Sequence, residues 1–174
     1  MNKRNLNLII FPIIVVLLLG TIYAVIFSKW KDKTPATYEQ VWSALENNGY
    51  TPIDSTEHFR DNWKEQNASK GVLNKAVTVQ KDDIRFDYYI FDSNSTADYY
   101  RGLYISYTRS NRYDVKNVEF SERLANYTIY TIKAAGMYTA VVMVDNTLVF
   151  AYSDADNSSV IYDIIADMGY FDKE

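Results

Sequence analysis

The side chains equipped for chemistry are few and widely spaced. His58 is the single histidine of a 174-residue chain without cysteine. It sits in Asp54-Ser55-Thr56-Glu57-His58-Phe59-Arg60-Asp61, where His58 and Asp61 share one helical face. A transition-metal site wants more imidazole or thiolate ligands than this, and a helix start with acids at its positive end accounts for the same residues, so no metal site is expected. Asp154, Asp156 and Ser158 put oxygens at positions 1, 3 and 5 of a calcium-type loop. Position 6 is then Ser159 where glycine belongs, and position 12 is Ile165 where a bidentate glutamate belongs. Capping of a helix by Asn157 or Ser158 explains the pattern instead. There is no thiol and no Gly-x-Ser-x-Gly, so nucleophilic catalysis lacks its usual parts, and the six glycines form no phosphate-cradling loop. Asp82, Asp83, Asp87 and Asp92, around the 84–91 strand, could supply a carboxylate pair for a hydrolase. They read more simply as turn and solvated strand positions. No catalytic residue and no cofactor is assigned.

Tyrosine is the one unusual feature of composition, with sixteen copies concentrated in the middle of the chain. Tyr89, Tyr99 and Tyr113 fall off the predicted core stripes. An amphipathic ring in that position suits a groove for a peptide, a glycan or a partner domain, so these three are the candidate ligand- or partner-binding residues.

The elements that would position them follow from periodicity. Tyr38, Val41, Trp42 and Leu45 recur at i, i+3, i+4 and i+7 behind a capping Thr37 or Thr34, giving a helix over 38–46 that stops at Asn48-Gly49. Tyr50 to Asp54 is extended, because Pro52 disfavours helix at Thr51. A second helix runs from Glu57 to about Gln66, showing Phe59 and Trp63. The period then changes to two: a weak strand over 76–80 pairs with one over 84–91, in which Ile84, Phe86, Tyr88 and Ile90 share a face. Asp92 to Thr96 caps a third helix ending near Arg109. Strands over 115–121, 127–133, 138–144 and 147–152 follow, turned by Ala135-Gly136 and Asp145-Asn146. A last helix starts at Ser158 or Ser159 and is closed by Met168-Gly169. Its Ile161 to Tyr170 echoes Val41 to Tyr50, each an amphipathic helix stopped by Gly-Tyr. The expected fold class is α+β: one domain over 37–174, with a mostly antiparallel sheet of about 4–6 strands packed by about 4 helices. That element order resembles, in topology alone, the folds of the Mog1 and PsbP proteins; it implies an architecture and no activity.

Residues 8–27, LIIFPIIVVLLLGTIYAVIF, are twenty positions without a charge. At about 1.5 Å per helical residue they are just long enough to cross a bilayer. They are read as a transmembrane signal anchor between a short basic tail, 1–7, and a juxtamembrane linker, 28–36. A cleaved signal peptide would have a shorter apolar region of about 7–15 residues. A short basic tail is awkward to translocate, so the N-terminus is placed in the cytoplasm and the domain outside it. Gly20 and Ala24 form a small-xxx-small pair that could bring two such helices together. A net charge of −4 and a pI near 5.0 give no basic footprint for nucleic acid. The reading that results is a single-pass membrane protein whose extracytoplasmic domain binds an envelope protein or glycan without catalysis. The alternatives are a carboxylate-based envelope hydrolase and a structural subunit of a membrane complex.

Overall fold

The computed structural model describes residues 14–21, 31–67, 71–110, 117–124 and 126–172. The chain divides into two units, Met1–Asp32 and Lys33–Glu174. In the first, residues 14–21 are helical with their apolar side chains exposed. The rest of the apolar run, 8–13 and 22–27, lies outside the described residues. Among the described residues no helix is long and apolar enough to cross a membrane.

The second unit is an α+β domain built on one antiparallel sheet. Its elements are α1 (Tyr38–Asn47), β1 (Ile53–Asp54), α2 (Thr56–Asn67), β2 (Leu73–Lys81), β3 (Ile84–Phe91), α3 (Asn94–Ser110), β4 (Asn117–Leu124), β5 (Tyr127–Ala134), β6 (Met137–Val144), β7 (Thr147–Asp154), a 3-10 turn (Ala155–Asn157) and α4 (Ser158–Asp167). The seven strands lie in the order β1-β2-β3-β7-β6-β5-β4, every pair antiparallel. Two meanders therefore meet where β3 pairs β7. The chain has to travel from β3 to β4, four strands away or about 19 Å. The 17 residues of α3, about 25 Å of helix, carry it across.

The strand count exceeds the expected 4–6 because Ile53 and Asp54, anticipated only as extended chain, pair with Thr78 and Val77. Helices cover both sheet faces. Val41, Ala44 and Leu45 of α1 and Ile161, Ile164 and Ile165 of α4 pack on one face, over Val77, Phe86, Tyr88, Val142 and Val149. Ala97, Tyr100 and Ile105 of α3, with Phe59 of α2, pack on the other, over Tyr89, Phe91, Val141, Leu148 and Phe150. This is why Tyr89, expected off the core because it alternates with Tyr88, is wholly buried. Alternation marks a solvated face only where one side of the sheet is open.

Helix ends obey local chemistry. Thr37 and Gln40 form a reciprocal capping box on α1. Gly49 and Gly169 take φ of 81° and 80°. At both sites a Gly-Tyr pair reaches back to the last turn, Tyr50 N–H to Leu45 C=O and Tyr170 N–H to Ile165 C=O, both 3.1 Å. The echo between the two segments is thus a shared stop. The cap expected on α4 is not made: neither Asn157 nor another side chain caps it, and Asn157 Nδ2 donates to Asp83 Oδ2 at 2.9 Å instead.

The second half of the expected linker belongs to the domain. Lys33 N–H donates to Asn126 Oδ1 at 3.0 Å and its C=O accepts from Asn126 Nδ2 at 2.7 Å. Buried Ala36 donates its N–H to Tyr170 OH at 2.8 Å and accepts from Tyr88 OH at 2.5 Å. Tyr170 in turn shares a 2.7 Å bond with Thr147 Oγ1, which donates to Val144 C=O.

Candidate ligand-binding cleft

Helix α4 buries its isoleucines and Ala166 and turns Ser158, Ser159, Tyr162 and Asp163 outward at helical spacing. With Asn48 and Asp167 at the helix ends and Tyr138 from the start of β6, they line a cleft of about 650 Å³. A second hollow of about 490 Å³ lies between α1 and the end of α4, walled by Glu39, Gln40, Ser43, Asn47 and Asp167. Asp167 borders both, and Asn48 Nδ2 ties the two helices by donating to Asp167 Oδ2 at 2.9 Å and to Ala44 C=O at 2.8 Å. Tyr138 is largely packed away, and burial pushes its hydroxyl up to about 12. Tyr162 donates to Asp172 C=O at 2.8 Å and packs on Phe171, with ring centroids 4.9 Å apart. The cleft thus offers two aromatic rings, three neutral hydrogen-bonding side chains and two carboxylates, carried on α4, the end of α1 and the start of β6. No lysine or arginine is among these lining residues. That inventory can hold a polar ligand by hydrogen bonds and ring contacts, and its volume falls within the roughly 300–1,000 Å³ of small-ligand sites.

The residues singled out from sequence are scattered. Tyr89 lies under α2 and α3, its ring edge-on to Phe59 at 5.2 Å and its hydroxyl 2.8 Å from that of Tyr104. Burial raises the pKa of both hydroxyls. Tyr99 is half-buried on α3, packed edge-on against Tyr100 at 5.2 Å. Tyr113 lies outside the described residues. The structure does not bring Tyr89 and Tyr99 to one open groove. The cleft residues carried no distinctive motif; only the outward spacing of 158/159 and 162/163 could have suggested them, and the approach of Tyr138 is tertiary.

The four strand-associated acids do not converge. Asp82 occupies the β2–β3 turn with φ 53°. Asp83 accepts from Asp154 N–H and Asn157 Nδ2, both 2.9 Å, and the Asn157 bond is the chief cause that lowers its pKa. Asp92 accepts from Thr96 Oγ1 at 2.7 Å at the start of α3, which lowers its pKa as well. Asp87, expected at a solvated position, is 1% exposed because α2 and α3 cover its face. Its Oδ2 meets Arg85 Nε at 2.8 Å, while Oδ1 and the facing Thr78 Oγ1 have no hydrogen-bond partner among the described residues. Burial drives its pKa up, and Arg85 pulls against it. His58 lies on α2, across the sheet from the cleft, with its ring 5.4 Å from Phe59. Among the described residues no group of three metal-ligating side chains occurs.

No protein family matches the chain, and no curated protein does. Among solved structures, a GTP-binding regulator from Thermotoga maritima aligns over 76% of this chain and 87% of its own, at 10% identity and a TM-score of 0.41. The extracellular domain of PknH from Mycobacterium tuberculosis aligns over 82% of this chain and 100% of its own, at 10% identity and a TM-score of 0.32. At these scores neither likeness carries weight for function.

Proposed function

We propose that this chain is a membrane-tethered protein whose α+β domain lies outside the cytoplasm and binds an envelope ligand, a partner protein or a glycan, in the cleft between α4 and β6, without catalysing a reaction. The observation that carries the reading is the cleft itself, which brings ring faces, hydroxyls, an amide and carboxylates together on helix and strand ends. The tether rests on the uncharged run over 8–27, whose length matches a bilayer. A carboxylate hydrolase would have to use Asp163 and Asp167, one helical turn apart in the cleft. Both are exposed, whereas acid and base pairs rely on surroundings that differ.

Protease treatment of intact cells carrying a C-terminally tagged chain tests the compartment. Digestion of the domain before permeabilisation supports the reading, and digestion only after permeabilisation overturns it. Asp163→Ala tests the site, since its side chain is exposed: ligand capture should be lost with stability changed by less than about 1 kcal/mol.

A further inference from the structure

The sheet has two edges of unequal design. At one end β1 is two residues long, which limits what can pair with it. At the other, β4 offers eight residues and, among the described residues, pairs only with β5. No other strand or described loop bonds to its outer side. A long open edge of this kind is a template for a further strand, and folded proteins rarely leave one bare. We infer that the β4 edge is a self-association surface, on which β4 of a second copy pairs antiparallel across a two-fold axis.

The register of the hairpins fixes which backbone groups are on offer. The β4–β5 hairpin closes on the pair Leu124↔Tyr127, and β5–β6 closes on Ala134↔Met137. Two-residue loops of this type close on a hydrogen-bonded pair, so residues 134, 132, 130 and 128 of β5 bond to β6. The odd-numbered residues 127 to 133 then bond to β4 at 124, 122, 120 and 118. The groups pointing away from the sheet therefore belong to 117, 119, 121 and 123. A second copy must offer the same set, which permits only pairings centred on a residue and not between residues.

Three observations choose a second copy as the occupant. Every pair in the sheet is antiparallel, and a two-fold axis generates an antiparallel neighbour from an identical strand. Centred on Ser121, the pairing sets position 119 against position 123 twice, an arginine by sequence against Glu119, which in the single chain already pairs with Arg109 of α3 and would be shared between the two cations. The same register makes the two Phe120 side chains diagonal neighbours on one face, and Phe120 is 52% exposed in the single chain. If the copies share one membrane, their encounter is confined to it, which raises their effective concentration.

The absence of cysteine makes the test clean, because any disulfide arises from an introduced thiol. Ser121→Cys in the full chain, in its membrane, places two thiols on the axis, with Cα atoms about 5.5 Å apart, within disulfide range. Oxidation should give a covalent dimer, and Lys81→Cys, on β2 near the opposite edge, should stay monomeric. A second variant separates pairing from folding. Ser121→Pro removes only an outward N–H, so it should keep the thermal midpoint of the wild type while abolishing the dimer seen for the cysteine-free chain by light scattering in detergent. The inference is overturned if the wild type is monomeric, if Ser121→Cys and Lys81→Cys crosslink alike, or if Ser121→Pro remains dimeric.

Discussion

Tyr170→Phe is the sharpest perturbation of the domain's architecture. Donor directions can be followed along the chain of buried bonds. Ala36 N–H donates to Tyr170 OH, and Thr147 Oγ1 is committed as donor to Val144 C=O, so Tyr170 donates to Thr147. Removing one oxygen deletes two bonds and leaves the N–H of Ala36, a residue only 4% exposed, without an acceptor. An orphaned buried donor costs roughly 1–3 kcal/mol and the lost neutral bond about 1 more, so destabilisation of about 2–4 kcal/mol is expected. With a urea slope of about 2 kcal/mol/M, the unfolding midpoint should fall by roughly 1–2 M, followed by circular dichroism on the full chain. The strap should loosen as well, so trypsin should cut after Lys33 sooner than in the wild type. Tyr162→Phe, whose hydroxyl is at the surface, should move the midpoint by less than a third as much. A Tyr170→Phe midpoint equal to that of the wild type, with the Lys33 site still protected, would refute the argument that residues 33–36 are held by this network.

Four further outcomes are expected. Arg85→Ala strands a carboxylate that is nearly inaccessible, and should cost about 3–5 kcal/mol in denaturant unfolding. The folded pKa of Asp87 lies above its unfolded value of about 3.9, so the native state holds this proton more tightly. Its contribution is therefore largest below that value and is lost as pH rises toward the folded pKa, and Asp87→Asn should remove this component from a stability-against-pH curve. Gly71 has φ 123°, and an added Cβ would come within 2.1 Å of Thr96 Oγ1, so Gly71→Ala should destabilise by roughly 2–4 kcal/mol in a thermal melt. Ala135 holds φ 52° in the β5–β6 turn, so Ala135→Gly should stabilise by about 0.5–1 kcal/mol in the same assay.

Much of the fold is legible in the sequence because local rules decide it. Helix α1 is announced by Thr37 and Asn48-Gly49, and the β6–β7 hairpin by Asp145-Asn146. Period-two runs locate six of the seven strands. What fails is the assignment of faces. The alternation through Tyr88-Tyr89 predicts one open side, yet α2 and α3 close it, and that packing is a tertiary event no local pattern records. Asp87 is buried for the same reason. The cleft was illegible because its two walls, α4 and the start of β6, are distant in sequence and each is ordinary alone. Asn157 shows a third kind of failure: a good capping residue was drawn to Asp83, 74 positions away, which only the folded chain brings near.

The most direct test of the cleft is crosslinking from inside it. A photoreactive phenylalanine at position 162 of the full chain, in living cells, keeps an aromatic ring in the wall; the same residue at position 82, at the tip of the β2–β3 turn, serves as the reference. A discrete adduct formed from position 162, absent from position 82 and lost with Asp163→Ala, is the predicted result. No adduct from position 162, or the same adducts from both positions, would contradict the assignment of this cleft as the binding site.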